Sequence, residues 1–426
     1  MIVLLSDGAG LTSRQCATLL SQAGHRVEAL TPDPLCLCRL TRHVRAVHRV
    51  PGLGADPLGW LEGALDVAAR RHADILLPVQ EQVAVMSLAR ERIARAGLLT
   101  AVPDFAALAQ VQDKVTAFRT LARLGLPQPP AVVVTSQDAL DSVDELPAFV
   151  KTPIGTASAG VRRIATRAEL RRHAALLDFR NGVLIQQPAT GPLVMIQSVF
   201  ASGELVAFHA CERVREGAGG GASHKRGVSL PEVRAHTAAL GMALHWHGAL
   251  SADVILTADG PRFIDINPRL VEPVNAFVSG VDLTGALLEV ARSGSAAPQP
   301  PGRPGAQTHQ ALVAVLGVAG RSGRRRDIMR ELLGALTGSG DYRSSTEELT
   351  PVRWPGAGTD PVTAIPVTVA TLATLIRPAA WRHFAGGATS AYALSPAAWQ
   401  ALLETAWPSL TGWRSRRCAA SSPTRR

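Results

Sequence analysis

The chain has 426 residues, of which 46% are hydrophobic and 4% aromatic, and its formal net charge at pH 7 is +10. Its apolar content excludes an intrinsically disordered chain, and its length exceeds what one compact core usually serves, so we expect two or three domains with aliphatic cores. The arginines are scattered through predicted helices and form a run only near the C-terminus, a pattern typical of solvated surfaces and unlike a nucleic-acid interface.

The first predicted elements alternate between strands and helices. Strands are predicted at 2–5, 27–30, 75–79 and 98–102, and helices at 13–23 and 58–69. This alternation predicts a parallel, helix-flanked sheet over residues 1–103. The turn Asp7-Gly-Ala-Gly10 lacks the third glycine of a dinucleotide-binding loop, so we favour a plain strand-to-helix turn over a phosphate-binding loop.

From residue 104 the pattern becomes α+β with antiparallel pairing. Strands are predicted at 131–134, 149–151, 161–164 and 183–187, followed by the hairpins 194–200 with 204–211 and 250–256 with 261–266, on either side of a helix at 230–246. We assign residues 104–295 to this second domain. The proline-dense stretch 296–306 predicts a linker, 307–412 a third region, and 413–426 a basic disordered tail.

Lysine is rare in this chain. Of the 44 lysines and arginines, three are lysines: Lys114, Lys151 and Lys225. A lysine ammonium is a compact point charge that enters phosphate sites too narrow for a planar guanidinium. Lys114 opens a predicted helix and Lys151 ends a buried strand, so we interpret both as phosphate ligands; the alternative is chance survival on the surface.

A loop of small residues, 155–160, follows Lys151 directly. Its small members, which let backbone amides approach phosphate oxygens closely, are Gly155, Thr156, Ala157, Ser158 and Gly160. A hairpin turn without a ligand would have the same composition. The position directly after Lys151 favours the phosphate-binding interpretation.

The second hairpin carries three oxygen ligands. Strand alternation places Asp265 and Asn267 on one face, and Asp253 lies on the partner strand across a tight turn. Hard oxygen ligands suit Mg²⁺, and two carboxylates among apolar neighbours are costly to bury without a cation. The alternative to a metal site is that Asp253 is an ordinary strand-end residue and Asp265 a cap.

In order and spacing these features resemble the ATP-grasp superfamily over roughly residues 1–295. The matching features are Gln112-Asp-Lys114, Lys151 with its loop, Gln186-Gln187 at a strand end, Asp253, and Asp265-Ile-Asn-Pro-Arg269. With the stretch 213–223, the resemblance is closest to carboxylate–amine ligases with a carbamoyl-phosphate-synthase-like domain. It implies an ATP-grasp fold, mixing α/β and α+β, with a Rossmann-like preATP-grasp domain at 1–103, an ATP-binding domain at 104–295 and a C-terminal accessory region. The lid of the ATP-binding domain would span about 128–190.

The resemblance also implies the ligands of ATP. Lys114 and Lys151 would contact the α- and β-phosphates, and the loop 155–160 would close over the triphosphate. The residues that would meet adenine are Gln186, Gln187 and Ala189.

The resemblance further implies the residues that hold the metal and act in catalysis. One or two Mg²⁺ ions, with Mn²⁺ as an alternative, would be held by Asp253, Asp265 and Asn267. Arg269 would stabilise the transferring phosphoryl group or the acyl phosphate, and Lys151 and Arg213 are the other catalytic candidates. Recognition of the acceptor is expected from the N-terminal domain, Arg213, Arg215 and the loop 219–226. His224 and Lys225 are interpreted as carboxylate contacts, or equally as parts of an exposed loop.

The predicted function is an ATP-dependent ligase that activates a small carboxylate as an acyl phosphate and joins it to an amine, releasing ADP and phosphate. Two alternatives remain open: a carboxylase, carbamoyl-phosphate-type or carboxylate kinase reaction at the same ATP site, and a non-catalytic, ATP-binding, membrane-peripheral scaffold. The expected partners are small-molecule substrates without nucleic acid. No apolar run is long enough for an integral membrane segment. The apolar stretch 367–376 could cover the catalytic domain, pair subunits in a homodimer or make weak peripheral contact with a membrane, and the first two are favoured. Five cysteines without a paired framework predict a cytoplasmic location.

Overall fold

The computed structural model describes residues 1–141, 143–156, 158–349 and 360–406. Ala157 and the predicted basic tail at 413–426 lie outside the described residues. Within the described part, no helix combines the length and the apolar character needed to cross a membrane.

The N-terminal part contains a four-stranded parallel sheet with the strand order β3-β2-β1-β4. Its elements are β1 (Ile2–Leu5), α1 (Leu11–Gln22), β2 (Arg26–Thr31), β3 (Ala46–Arg49), α2 (Pro57–Arg71), β4 (Ile75–Leu77), α3 (Val83–Leu88) and α4 (Arg90–Arg95). The predicted parallel sheet is confirmed. The strand predicted at 98–102 is wrong, since the stretch makes only an isolated bridge between Leu99 and Ile75, and Leu99 is 40% exposed at the edge.

An antiparallel sheet of four strands follows, in the order β5-β8-β6-β7. This part comprises α5 (Phe105–Leu108), α6 (Lys114–Arg123), β5 (Ala131–Val134), α7 (Gln137–Asp141), β6 (Ala148–Lys151), β7 (Val161–Ile164), α8 (Arg167–Ala174) and β8 (Val183–Gln186). Lys151 stands at the end of β6, next to the central strand β8. The sheet therefore holds this lysine at an edge that faces the next group of strands.

The largest sheet has seven strands in the order β13-β12-β9-β10-β11-β14-β15. The elements up to residue 293 are β9 (Leu193–Ala201), β10 (Glu204–Glu216), β11 (Ala222–Val228), α9 (Pro231–Ala243), β12 (Gly248–Thr257), β13 (Gly260–Asn267), α10 (Val274–Val278) and α11 (Leu283–Ser293). Both predicted hairpins, β9 with β10 and β12 with β13, are confirmed.

The third region extends this sheet and adds a helical layer. Its elements are β14 (Gln307–His309), α12 (Ala311–Arg321), α13 (Arg325–Thr337), β15 (Thr346–Glu347), α14 (Ala364–Ile376) and α15 (Trp381–Tyr392), followed by a helix at 396–406. Strand β14 pairs antiparallel with β11, so the third region is joined to the second by backbone hydrogen bonds. The predicted linker 296–306 has neither helix nor strand.

Buried ion pairs also tie the third region to the rest of the protein. Arg14 in α1 lies 2.9 Å from Asp360, and both side chains are 1% exposed. Lys225 in β11, also 1% exposed, is held between the carboxylates of Glu272 and Glu348. An unpaired charge at such a depth is strongly destabilising, so these contacts hold the three parts of the chain in one arrangement.

We expect Lys225→Met to lower the free energy of unfolding by about 3–5 kcal/mol at pH 7, because it leaves Glu272 and Glu348 buried against each other without a cation. Denaturation in urea would measure the loss. The control is Arg226→Met, which removes the 49% exposed partner of Glu212 and should cost at most about 1 kcal/mol. Equal losses in the two variants would contradict a special role for the buried lysine.

Candidate active site

The hairpin of β12 and β13 brings three oxygen donors to one face. Asp253 and Asp265 are directly opposite each other in the ladder, and Asn267 stands two residues further along β13. Because alternate residues of a strand share a face, the three side chains point the same way. All three line one cleft, which has a volume of about 390 Å³.

Lys114 reaches the hairpin from the start of α6. The carboxylate of Asp113 accepts hydrogen bonds from the amides of Val115 (2.7 Å) and Thr116 (3.0 Å), which caps the helix and makes Lys114 its first residue. Helix α6 packs against β13, and Lys114 Nζ lies 3.6 Å from Asp265 Oδ1. The same ammonium donates to the carbonyl oxygen of Gly155 at 3.0 Å.

Lys151 meets the same hairpin from the end of β6. Its Nζ donates to the carbonyl oxygen of Ile264 at 2.6 Å, and the residue is 6% exposed. The two lysines are 37 residues apart in the chain and more than 100 residues from the oxygen donors of the hairpin, yet both line the cleft with these donors. The structure therefore brings both predicted phosphate ligands and all three predicted metal ligands together.

Like charges lie close together in this cleft. Burial, and then the carboxylate of Asp265, raise the pKa of Asp253 to about 7, although the charge of Lys151 opposes the shift. Burial lowers the pKa of Lys151; Asp265 opposes this shift and Lys114 adds to it. A divalent cation would relieve the repulsion between the carboxylates, and a polyphosphate would do so for the ammonium groups.

The donor set fits a magnesium ion that is also bound by phosphates. Among the described residues there is no group of three or more His, Cys, Asp and Glu side chains that could hold a metal ion. The hairpin supplies two carboxylates and one amide oxygen, so only two of its donors belong to those residue types. Mg²⁺ is commonly bound by one or two carboxylates together with substrate phosphates. Asp253, Asp265 and Asn267 are therefore the residues that could hold it.

We expect MgCl₂ to raise the melting temperature more at pH 8 than at pH 5. The pKa of Asp253 is about 7 in the folded protein against an ordinary 3.8, so the folded state binds the extra proton between these values. The contribution of this carboxyl group to stability therefore falls as the pH rises through that window, and Mg²⁺, which competes with the proton, restores it. Thermal denaturation at both pH values measures the effect.

The control for this experiment is Asp253→Asn, which has no proton to exchange with the metal. Without Mg²⁺, the variant should lose less stability than the wild type between pH 5 and pH 8. An equal rise in melting temperature with Mg²⁺ at both pH values in the wild type would contradict the assignment.

Two arginines also line the cleft. Arg269 Nε donates to Glu81 Oε1 at 3.0 Å. Burial has the largest effect on the pKa of Arg269 and lowers it, but Glu81, Tyr392 and Asp265 together raise it above its ordinary value. Arg213 Nη1 donates to the carbonyl oxygen of Gly220 at 2.7 Å. Both predicted catalytic arginines thus have a positive charge at the cleft and a partner that orients it.

Close contacts with neighbouring atoms explain two glycines of the small-residue loop after Lys151. A Cβ at Gly155 would collide with the carbonyl oxygen of Ala159, and one at Gly160, where φ is +77°, would collide with the hydroxyl of Thr152. Gly155 and Ser158 line the cleft, and Thr156 is buried. Phosphate binding by this loop stays a prediction.

The predicted adenine contacts are only partly at the site. Gln186 lines a narrow cavity of about 20 Å³ together with both lysines, too small in this form for an adenine ring. Gln187 donates from its side chain to the carbonyl oxygen of Glu145 at 3.2 Å. Gln187 and Ala189 line neither this cavity nor the main cleft.

Three predicted acceptor contacts lie elsewhere. Arg215 forms ion pairs with Glu331 and with Asp341, the latter at 3.2 Å. Lys225 and His224 are buried in β11, so the expectation of an exposed loop is wrong at these positions. Their partners come from residues 272, 309, 342 and 348, which no local pattern around residue 224 indicates.

The turn after β1 is a strand-to-helix turn closed by its own carboxylate. Asp7 Oδ2 accepts from the amides of Ala9 (3.0 Å) and Gly10 (2.8 Å) and from the hydroxyl of Ser13 (2.7 Å). The amides that a phosphate would use are therefore occupied. Neighbouring residues that sequence reasoning missed, Leu11, Thr12 and Gln80, line the cleft instead.

No protein-family model matches this sequence, and a search among curated proteins found no match. Solved structures do match. The biotin carboxylase domain of 2-oxoglutarate carboxylase from Hydrogenobacter thermophilus, solved with MgADP, ADP and bicarbonate, is 17% identical with a TM-score of 0.56, over 72% of this chain and 73% of that chain.

Two further structures are similar to a comparable extent. N5-carboxyaminoimidazole ribonucleotide synthetase from Thermus thermophilus is 20% identical with a TM-score of 0.56, over 72% of this chain and 81% of that chain. An L-amino acid ligase from Bacillus licheniformis is 16% identical with a TM-score of 0.52, over 68% and 74%. All three are ATP-grasp proteins, and this chain has the ATP-grasp fold, as its sequence resemblance predicted.

Proposed function

We propose that this protein is an ATP-dependent ligase that activates a carboxylate as an acyl phosphate and transfers the acyl group to an amine. The observation that carries the proposal is the convergence of Lys114, Lys151 and the oxygen donors of the β12–β13 hairpin in one cleft. The fold supports it, because a neighbour of the same fold was solved with MgADP and another is an L-amino acid ligase.

In the first step an oxygen of the substrate carboxylate attacks the γ-phosphorus of ATP, and the bond to the β-phosphate oxygen breaks to release ADP. The two lysines offset the negative charge of the phosphates, and Arg269 stabilises charge on the transferring group. Asp253, Asp265 and Asn267 would hold Mg²⁺, which when bound neutralises charge on the phosphate oxygens. The protein itself supplies alignment and electrostatic stabilisation.

In the second step an amine nitrogen bonds to the acyl carbon, the bond from that carbon to the phosphate oxygen breaks, and the nitrogen loses a proton. Phosphate leaves. Water must be kept out so that the acyl phosphate survives until the amine arrives. The loop 155–160 is our candidate for this closure, since Lys114 already contacts Gly155 within it.

A carboxylase reaction is the second candidate, because a structural neighbour was solved with bicarbonate. In that case bicarbonate replaces the organic acid in the first step, with the same residues around ATP.

The cytoplasmic location and the homodimer considered above stay predictions.

The test is a screen of ADP and phosphate release with amino acids, small carboxylic acids and bicarbonate, each with and without amines, on wild type and Asp265→Ala. A ligase is expected to release ADP fully only when both an acid and an amine are present. Release that needs bicarbonate would favour the carboxylase. Nucleotide binding without turnover above Asp265→Ala in every combination would reject the ligase and leave the scaffold.

A further inference from the structure

The cleft that holds the charged residues also has an apolar wall. Aliphatic and aromatic side chains from widely separated parts of the chain line it: Leu11, Leu37, Leu312, Val313, Leu316 and Phe384. None of these residues binds phosphate or metal. The mechanism above therefore leaves this wall without a role.

This apolar wall is a packed structure. Leu312 and Leu316 are four residues apart on one face of α12, and they form a buried cluster against which Leu11, Leu37 and Phe384 pack. Helix α15 brings Phe384 and, four residues later, Ala388 to the same wall. The first domain and the third region together build this wall.

A glycine-rich loop lies against α12 and also contacts Arg213. The backbone of Gly217 approaches α12 so closely that a Cβ on Gly317 would lie 2.7 Å from the carbonyl carbon of Gly217. The next residues, 218–222, line the cleft, and Arg213 donates to the carbonyl oxygen of Gly220 at 2.7 Å. The apolar wall is therefore held at a defined position relative to the charged residues.

A buried polar side chain also belongs to this cleft. Gln80 is 2% exposed and lines the cleft, and its side-chain oxygen has no hydrogen-bond partner among the described residues. A buried acceptor without a partner is costly, so a donor from a ligand would be favoured there. An N–H or O–H group next to the carboxylate of a substrate would supply it.

We propose that the acid activated by this protein carries an aliphatic or aromatic side group, and that α12 and α15 hold this group. The proposal rests on the proposed ligase function and deepens it by naming the class of acid. Burial of an apolar group at a fixed distance from the phosphoryl acceptor would contribute binding and orient the carboxylate. Short or charged acids would leave the apolar wall without a partner.

The experiment measures kcat/KM for ADP release over a graded series of acids, with the amine found in the screen. One series is acetate, butanoate, 4-methylpentanoate, 3-phenylpropanoate and, as a charged member, succinate. The other is glycine, alanine, leucine, phenylalanine and glutamate, because Gln80 can accept a hydrogen bond from an amino group. In the series that turns over, leucine-sized or phenyl acids are expected to exceed the smallest acid by about 10–200-fold.

Phe384→Ala tests whether α15 is responsible for the preference for large apolar acids. The ratio of kcat/KM for the largest apolar acid to that for the smallest is expected to fall about tenfold in this variant. A ratio within one variant does not depend on how much of the enzyme is folded. The matched control is Leu372→Ala, which truncates a 55% exposed side chain on α14, outside the cleft, and should leave the ratio unchanged.

The outcomes separate this inference from the proposed function. If acids turn over but the smallest or charged acids are preferred, or if Phe384→Ala leaves the ratio unchanged, the apolar subsite is overturned and the ligase stands. If no acid releases ADP above Asp265→Ala, both are overturned. A ratio that falls in Phe384→Ala and not in Leu372→Ala supports the inference.

Discussion

Replacing Asp265 with asparagine is expected to lower kcat/KM for ADP release by about 10²–10³-fold or more, the largest effect we predict. The substitution keeps the shape of the side chain but removes one of the two carboxylate charges on the hairpin face. The remaining set, Asp253 and amide oxygens, would bind Mg²⁺ weakly. We therefore also expect the Mg²⁺ concentration needed for half-maximal rate to rise, measured by steady-state kinetics at several MgCl₂ concentrations.

Stability should change little in this variant, because the Asp265 charge has two opposing effects. The carboxylate of Asp265 is among the groups that raise the pKa of Asp253, so removing its charge relieves that repulsion. The substitution also removes the attraction to the Lys114 ammonium, 3.6 Å away, so without metal at pH 8 Asp265→Asn should melt close to the wild-type temperature. Loss of activity without loss of stability distinguishes a metal ligand from a structural residue.

The control is Asp259→Asn, in the turn of the same hairpin, where the side chain is exposed and outside the cleft. It should retain wild-type kcat/KM and the wild-type dependence on Mg²⁺. If Asp265→Asn also retains both, the hairpin is not the metal site and the proposed mechanism fails.

Lys151→Arg is expected to be nearly as inactive as Lys151→Met, with a loss of about 10²-fold or more in kcat/KM. The charge is retained in the arginine variant, so a charge requirement alone would predict substantial activity. Lys151 is 6% exposed, and its Nζ donates to the carbonyl oxygen of Ile264 at 2.6 Å, which leaves little room for a planar guanidinium. Nucleotide binding by calorimetry, alongside steady-state kinetics, measures the defect.

The neighbouring strand offers a matched control. Arg163 on β7 is exposed, and Arg163→Lys makes the reverse exchange on the same sheet outside the cleft. This control should be as active as the wild type. Activity of Lys151→Arg within about threefold of the wild type would show that the shape of the cation does not matter at this position. It would contradict the interpretation of Lys151 as a phosphate ligand in a site too narrow for a guanidinium.

The hairpin donors could be predicted from the sequence because their convergence is local. Alternation along β13 places Asp265 and Asn267 on one face, and a tight turn brings Asp253 opposite Asp265, about a dozen residues away in the chain. The three N-terminal parallel strands, β1, β2 and β4, were predictable for the same reason, since each is a short apolar run bounded by a helix pattern. Strand β3, Ala46–Arg49, carries no such run and was missed.

Residue type alone does not distinguish the two lysines of the cleft from the third lysine. The rarity of lysine singled out Lys114, Lys151 and Lys225 equally. The first two do reach the cleft, whereas Lys225 is buried between Glu272 and Glu348. Nothing near Lys225 in the sequence indicates these partners, because they lie 47 and 123 residues away.

The chemical types at the site and the geometry within the hairpin follow from the amino-acid sequence, because strand alternation and turn length act over a few residues. Which distant elements meet depends on how the whole chain packs. Leu11, Leu316 and Phe384 share one wall because α1, α12 and α15 pack together. Such packing depends on the complementary shapes of whole elements, and each of these helices taken separately is only an ordinary helical segment with some apolar residues.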